Sequence, residues 1–491
     1  MSEKRIKETT LDKSKQYKKG GYLQDIDKFD YKFFDISYAE AIYMSPMQRA
    51  SLEVAYNLFE NAGYNPAEFN GSDVSVFISG PWFPDYAKHA DEINTLLDTG
   101  NSPEFMGAKV SRELNLLGNC VLVNTACSAS IAALQMGANE LILGDCEMAM
   151  ILSGNLDLFP LAGSESETVS KTGASTAFSD DVDGMVYGES IAGILLKPLK
   201  KAIADNDVIH AVVSGWANNN NGNRSSSILA TDSKQQCEVY LKAWNRAGIT
   251  PEQLGFIEAH GSATQLGDCL EIEGLDEAFR KFTPEKNLVP VSSIKSNIGH
   301  TLAAAGMAGI IKTVLSLKHK VLFANINKGR LNSNIDFTQS SVYVIREFKE
   351  WKTKDGESRI AGVSGFGRGG TNGHVVLREY TASEKTVEDN IQKSYLFTIS
   401  SKTRDGLRRN IANILKKLPQ YRESQLKDLS YTLIRGRQHM EYRLAIVCGS
   451  LQELQERLTD AMDREVTETE SVEDCFFVFS DQKITMDYFK Y

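Results

Sequence analysis

The chain has no Cys-x-x-Cys pair, no apolar stretch behind its first residues, no surplus of positive charge, and no short tandem repeat or low-complexity tract. Each absence removes a class of function. Its seven cysteines, at 120, 127, 146, 237, 269, 448 and 475, are odd in number and widely scattered. That suits reduced thiols in a cytoplasmic enzyme better than a disulfide frame or a zinc site. Met1-Ser2-Glu3-Lys4-Arg5 leads into no apolar run, so no secretory signal is read there. The most apolar long stretch, 298–317, carries His300 and Lys312 and is expected as a buried helix rather than a membrane span. Lys and Arg total 54 against 64 Asp and Glu, a net charge of −10. Nucleic acid is therefore not expected as the main partner, since gripping phosphates needs clustered cations. What remains is ordinary: 491 residues, 42% hydrophobic and 24% charged, enough for about two to four globular domains.

Residues 1–19 form a polar arm; the first twenty residues hold seven Lys/Arg against three Asp/Glu. From 20 to 380 the pattern mixes α and β. Short runs rich in Val and Ile predict strands at 74–79, 121–125, 148–153, 192–196, 210–213, 256–258 and 289–294. Helix-like stretches between them, such as 47–62, 128–143 and 303–318, argue for a layered α/β domain. Residues 381–394 are polar and read as a linker. A small α/β domain follows over 395–480, with a last strand at 475–479 and a tail at 481–491.

Four segments could carry chemistry. In Asn124-Thr125-Ala126-Cys127-Ser128-Ala129-Ser130 a strand runs into small residues and then an apolar helix. A thiol at a helix start meets unpaired N–H groups and a positive dipole end, which favour the thiolate. Cys127 is thus a candidate nucleophile, against the plainer alternative of a buried structural cysteine. In Glu258-Ala259-His260-Gly261-Ser262-Ala263-Thr264 a strand delivers His260 into a small-residue loop, with Glu271 further on. Lys295-Ser296-Asn297-Ile298-Gly299-His300 repeats that strand-to-loop exit. Gly365-Phe366-Gly367-Arg368-Gly369-Gly370-Thr371-Asn372 has four glycines in six residues, a tight backbone whose N–H groups can face a ligand. It is neither a Walker motif nor a convincing dinucleotide fingerprint.

In this order, the four motifs resemble the β-ketoacyl synthase (ketosynthase) domain of modular polyketide synthases and type I fatty acid synthases, over residues 20–380. The 395–480 region resembles the linker domain that follows such ketosynthases. The resemblance implies the thiolase fold: two similar α/β halves in αβαβα layers, usually dimeric. It implies a decarboxylative Claisen condensation in which an acyl chain on Cys127 is attacked by the carbanion of malonyl-acyl carrier protein. His260 and His300 would hold the enolate oxygen, best with at least one as a neutral N–H donor. The backbone N–H groups of Cys127 and Arg368 would form the oxyanion hole. Lys295 would pair with Glu271 and order the His300 loop, and Ser262 and Thr264 would contact the phosphopantetheine arm. No metal or tightly bound cofactor is expected, phosphopantetheine arriving on the carrier protein, and the acyltransferase is expected on another chain.

Departures from the family pattern carry their own expectations. Asn124 replaces the family's Asp, and Ser262-Ala263-Thr264 replaces Thr-Gly-Thr. Arg368 stands at a gate position that usually holds Phe or a small residue, where a cation would favour acidic or polar acyl chains. Family members carry an apolar strand and helix ahead of the region matching Gly20, and that strand is expected at the centre of its sheet. Its loss would leave two neighbouring strands with unpaired backbone groups, each costing ~1–3 kcal/mol if buried. An upstream chain supplying the strand is one expected partner. The alternatives to a condensing enzyme are a non-elongating acyl-transfer ketosynthase, an inactive or fragmentary scaffold, and a Cys-His hydrolase, the last disfavoured because no orienting Asp or Asn follows from the motifs.

Overall fold

A computed structural model describes residues 19–80, 94–158, 168–326, 329–354, 356–382 and 394–463. Most of the polar arm, the centre of the 381–394 linker and the strand expected at 475–479 lie outside these residues. The chain divides into two compact units, residues 1–62 with 66–385, and 63–65 with 386–491.

The strands of the larger unit are β1 (Val74–Ser79), β2 (Cys120–Val123), β3 (Met148–Asn155), β4 (Ser190–Leu196), β5 (Val212–Asn220), β6 (Phe256–Glu258), β7 (Val289–Ser292), β8 (Val321–Leu322), β9 (Val342–Val344), β10 (Lys349–Glu350), β11 (Ile360–Phe366) and β12 (Thr371–Arg378). Its helices of ten residues or more are α1 (Pro46–Asn61), α2 (Glu104–Glu113), α3 (Ala129–Leu143), α4 (Ser233–Ala247), α5 (Gln265–Arg280) and α6 (Ala305–His319). Local chemistry sets their ends. Ser45 caps α1 by accepting from the Gln48 N–H, with Pro46 at the first helical position. Asp232 caps α4, which stops at Gly248 in the left-handed region with φ 64°.

One sheet has the order β2-β1-β3-β4, and the other β5-β12-β11-β6-β7-β9. The two repeat one plan. β1 lies parallel to β2 and β3, while β4 runs antiparallel to β3. In the second sheet β6 lies parallel to β7 and β11, while β12 runs antiparallel to β11. Helices α3 and α6 lie between the sheets. Ile131 and Leu134 from one and Met307 and Ile310 from the other share a core with Phe77, Ile151 and Val363. The outer face of the second sheet packs α4 and α5 through Tyr240, Trp244, Ile272 and Leu275. Burying an apolar face of each layer in this way is what holds the stack together.

The sheets correct one expectation. The family's first strand was expected at the centre, with a gap left behind. Instead β1 and β3 pair directly over six residues, Val74–Ser79 against 148–153, and every residue of both strands is buried. The first sheet is continuous at its centre.

The smaller unit pairs β13 (Tyr395–Ser401) antiparallel with β14 (Tyr442–Cys448) and carries α7 (Arg404–Lys417), α8 (Leu426–Arg435) and α9 (Leu451–Asp463). Phe397, Ile399, Leu407, Ile411, Leu454 and Leu458 form its core. None of the motif residues lies in it.

Candidate active site

The nucleophile loop leaves β2 at Val123 and reaches α3 through a single 3-10 turn, 126–128. Ala126 is forced to φ 54°, an uncommon conformation for a residue with a side chain, and its N–H is taken by Asn124 Oδ1 at 3.2 Å. The bend holds Cys127 buried at 8% exposure. Burial raises the pKa of its thiol, and the backbone N–H groups of Arg368 and of Cys127 itself are among the groups that oppose that rise.

Arg368 reaches this position on a hairpin that the sequence reading missed. β11 and β12 pair from Ile360–Phe366 to Thr371–Arg378, and the glycine-rich segment is the turn between them, closed by Gly367 N–H to Thr371 O at 2.7 Å. A side chain at Gly367 would put its Cβ 2.3 Å from the Thr125 carbonyl oxygen and 2.8 Å from Ser128 Oγ. Only glycine lets this turn lie against the nucleophile loop.

Both histidines sit where the sequence placed them, on loops after β6 and β7, buried at 9% and 1% exposure. Their rings meet edge to face with centroids 5.6 Å apart, and the Phe366 ring lies 5.4 Å from that of His260. Their tautomers follow from the backbone. His260 Nδ1 accepts the Phe366 N–H at 3.3 Å, and His300 Nδ1 accepts the Leu302 N–H at 3.1 Å. A neutral imidazole that accepts at Nδ1 carries its proton on Nε2. Burial first, then the Lys295 cation, drives both imidazoles well below the usual histidine range, and His300 adds to the depression at His260. Two Nε2–H donors result.

Lys295 is fully enclosed at 4% exposure. Its ammonium donates to the carbonyl of His260 rather than forming the expected direct pair with Glu271. Glu271 is committed elsewhere: its carboxylate accepts the backbone N–H groups of His260 and Gly261, both at 2.7 Å. Burial still raises Glu271 to about 7, and Lys295 opposes that rise through space. The pair is thus coupled through the His260 backbone between them. Burial lowers the Lys295 pKa, while Glu271, Glu258, Cys127 and Asp268 oppose the shift.

The thiol differs from its expectation. The helix start favours a thiolate, yet burial pushes Cys127 above the ordinary thiol value; Lys295, the two backbone N–H groups and the Arg368 charge only offset this. Ser262 and Thr264 stand together, hydroxyl to hydroxyl at 3.0 Å. Ala263 between them, at φ 59°, gives its N–H to Asp268 Oδ1 at 3.1 Å.

Two further elements support the site and were not singled out from sequence. Lys312 of α6 reaches Glu258 Oε2 at 2.6 Å and Ser292 Oγ at 2.5 Å, while Glu258 Oε1 accepts the Ile294 N–H at 2.6 Å. That cluster ties β6, β7 and the start of the His300 loop together. A third buried histidine, His374, bonds Ser364 Oγ at 3.1 Å and receives the Trp244 indole N–H at 3.3 Å. Burial lowers it to about 3, so it is a neutral strut beneath β11. Its signal in the sequence was only one more histidine after a glycine run.

Comparison with known proteins bears on the family and the fold. The model for the β-ketoacyl synthase N-terminal domain matches residues 1–202, that for the C-terminal domain matches 210–328, and a CurL-like PKS C-terminal model matches 395–458. Polyketide synthase PksL of Bacillus subtilis (strain 168) is 35% identical over 455 residues, 91% of this chain and 10% of that protein. Polyketide synthase PksN of the same organism is 35% identical over 480 residues, 93% of this chain and 9% of that protein. The chain thus spans about a tenth of the length of these curated relatives. Among solved structures, the ketosynthase from module 6 of the bacillaene synthase of Bacillus subtilis 168 superposes with a TM-score of 0.82 at 34% identity, over 90% of this chain and 76% of that one. Ketosynthase twelve from the bacillaene polyketide synthase of Bacillus amyloliquefaciens gives 0.85 at 29% identity, over 94% and 82%. A thiol at a strained bend and two N–H-donating imidazoles, on a scaffold that matches both synthase halves in order, mean that the chain belongs to the β-ketoacyl synthase family, the thiolase-like acyltransferases, in its polyketide synthase branch.

Proposed function

We propose that this chain condenses acyl units in a polyketide assembly line, by the following chemistry. The Cys127 sulfur attacks an acyl thioester. The tetrahedral oxyanion is held by the backbone N–H groups of Cys127 and Arg368, the carrier thiol departs with the proton, and the acyl group stays on Cys127. Malonyl-acyl carrier protein then enters, its phosphopantetheine arm passing Ser262 and Thr264. Its carboxylate C–C bond breaks to release CO₂, leaving an enolate whose oxygen accepts from Nε2–H of His260 and His300. The enolate carbon attacks the acyl carbonyl, a C–C bond forms, the C–S bond breaks and the Cys127 thiolate returns. Lys295 and Glu271 position the His260 backbone and set the local charge; neither transfers a proton.

One observation carries the reading: both buried imidazoles have Nδ1 occupied by a backbone N–H, which leaves two Nε2 donors for one developing negative charge. A transfer-only synthase would need the first half of this machinery alone.

The partners follow from the chemistry. A phosphopantetheine-bearing acyl carrier protein delivers both substrates, and an acyltransferase loads the extender. A homodimer is supported by β2, which lies at the edge of its sheet with Cys120 exposed. A cytoplasmic setting suits the free thiols, and no described helix is long and apolar enough to cross a membrane. Intact-mass analysis after exposure to an acyl thioester tests the first step, the expected product being one acyl group on Cys127. Addition of malonyl-acyl carrier protein should remove that group as the extended ketoacyl product. An acylated chain that never elongates would establish the transfer-only reading, and an unreactive one the scaffold reading.

A further inference from the structure

β11 parts from β6 before it reaches the site. Their parallel register ends with Val363 opposite Glu258. Beyond that point β6 gives way to the loop that carries His260, and Phe366, the last residue of β11, donates its N–H to His260 Nδ1 at 3.3 Å. An imidazole thus stands where a strand carbonyl would continue the ladder. β12 pairs with the other edge of β11. On the His260 side no strand fixes Phe366, so the place of its N–H depends on what holds its side chain.

Alternate residues of a strand share a face, so Ser364 and Phe366 both look toward α4. Opposite Ser364 in register stands His374 of β12. Its Nε2 accepts the Trp244 indole N–H at 3.3 Å, so the neutral ring carries its proton on Nδ1 and donates it to Ser364 Oγ at 3.1 Å. That is the opposite tautomer to His260, and it pins the His374 ring at both nitrogens. Tyr240 of α4, fully buried, fills the space between this pinned ring and Phe366. It stacks on Trp244 with centroids 5.8 Å apart and meets His374 at 4.9 Å and Phe366 at 6.3 Å, both edge to face. Its hydroxyl makes no hydrogen bond of ordinary geometry among the described residues, with Ser364 only offsetting the rise that burial imposes on the phenol. What Tyr240 offers its neighbours is therefore its ring.

We infer that Tyr240 is a positioning residue for His260: its ring carries the fixed frame of Trp244 and His374 across to Phe366, and so holds the N–H that keeps the His260 proton on Nε2. Aromatic rings favour edge-to-face contact, which gives Phe366 a preferred seat between Tyr240 and the His260 ring. His300 is set by a separate device, the Leu302 N–H on its own loop, and serves as an internal control. The consequence for condensation rests on the reading of His260 as an enolate-binding group; the setting of its tautomer does not.

Ring-nitrogen NMR of the histidine-labelled full chain reads the tautomers without reference to activity. In the wild type, His260 and His300 should each show two well-separated nitrogens with the proton on Nε2. In Tyr240→Leu the two His260 signals should converge as the ring samples both tautomers, while those of His300 stay in place. Tyr240→Phe keeps the ring and should restore the wild-type signals. If Tyr240→Leu does not fold, Tyr240→Met, whose side chain adapts to irregular space, is held to the same outcomes. Unmoved His260 signals in the Leu or Met variant would overturn the proposal. Equal convergence at His300 would overturn it in favour of a general loosening, and convergence in Tyr240→Phe would overturn the part given to the ring. Condensation by acylated Tyr240→Leu should fall about tenfold, with acylation of Cys127 retained. If the tautomer shifts and condensation does not fall, Tyr240 still positions His260, and the enolate-binding role of that ring is what fails.

Discussion

Burial acts on the nucleophile loop and on the two histidine loops through the same physics, with opposite chemical consequences. Excluding water penalises charge. It pushes the Cys127 thiol up, away from the reactive thiolate, and drives His260 and His300 down, toward the neutral form that donates a hydrogen bond. As folded, the imidazoles are already neutral N–H donors, while the thiol needs help to ionise. That help is local: one buried cation, Lys295, and two backbone N–H groups. Lys295 opposes charge on the rings and favours it on the sulfur, so one group serves both halves of the contrast.

The contrast breaks most completely at the sulfur. Cys127→Ala should abolish acylation, read as the absence of any acyl mass increment. His300→Ala should leave acylation of Cys127 in place but cut condensation with malonyl-acyl carrier protein by about 10²–10³-fold, comparable to losing an oxyanion donor. Equal loss of both steps in that variant would show that the histidines and the thiol do not divide the work.

Acidity sharpens the comparison. Because burial raises the thiol pKa, the acylation rate of the wild-type chain should climb between about pH 7 and 9 without levelling. Because folding lowers both histidine pKa values, the rings stay neutral through the ordinary histidine range, and condensation by pre-acylated enzyme should not fall between about pH 7.5 and 6.5. The same shifts set a stability term. The unfolded rings take up protons below their ordinary pKa of 6.5 and the folded ones do not, so this contribution is full above 6.5 and is lost progressively as pH falls from there toward the lowered folded values. Lys295→Met should move the acylation profile further alkaline, measured by quenched intact-mass time courses.

The supporting frame gives a separate effect. Lys312→Met strands the buried Glu258 carboxylate and should cost ~3–5 kcal/mol in urea unfolding of the full chain, an outcome that a solvent-screened pair would not give. The smallest effect is expected at Arg368. In the proposed oxyanion hole its backbone N–H would serve any acyl chain, but its exposed side chain adds a positive charge near Cys127. Arg368→Ala should lower the preference for acidic over neutral acyl thioesters by about threefold to tenfold in competition, one screened charge contact. Unchanged selectivity would confine the residue's part to its backbone.

Much of the site was legible because strand-to-loop exits leave short signatures. Cys127, His260 and His300 each follow a run of Val, Ile or Glu-flanked apolar residues and precede small ones. The β11–β12 hairpin was not legible. Its strands carry glycines at 362, 365 and 373, which composition reads as loop, whereas packing demands them: a Cβ on Gly362 would lie 2.6 Å from the His374 ring, and one on Gly373 would lie 2.6 Å from Asn218 Oδ1. β5 likewise ran past its expected end into Asn218, Asn219 and Asn220, because β12 pairs with each of them.

Sequence alone determined which side chains are chemically able to act, and in what order along the chain, since nucleophile, donor and turn each require particular residue types beside small neighbours. Tertiary structure decided their state. Which nitrogen of each ring holds the proton depends on backbone N–H groups of Phe366 and Leu302, and whether Lys295 meets Glu271 or the His260 carbonyl depends on where two loops cross. It also decided that the first sheet is whole at its centre, where β1 and β3 pair directly. Proton positions and strand neighbours are set by groups distant in sequence, and only folding brings those groups within hydrogen-bonding reach.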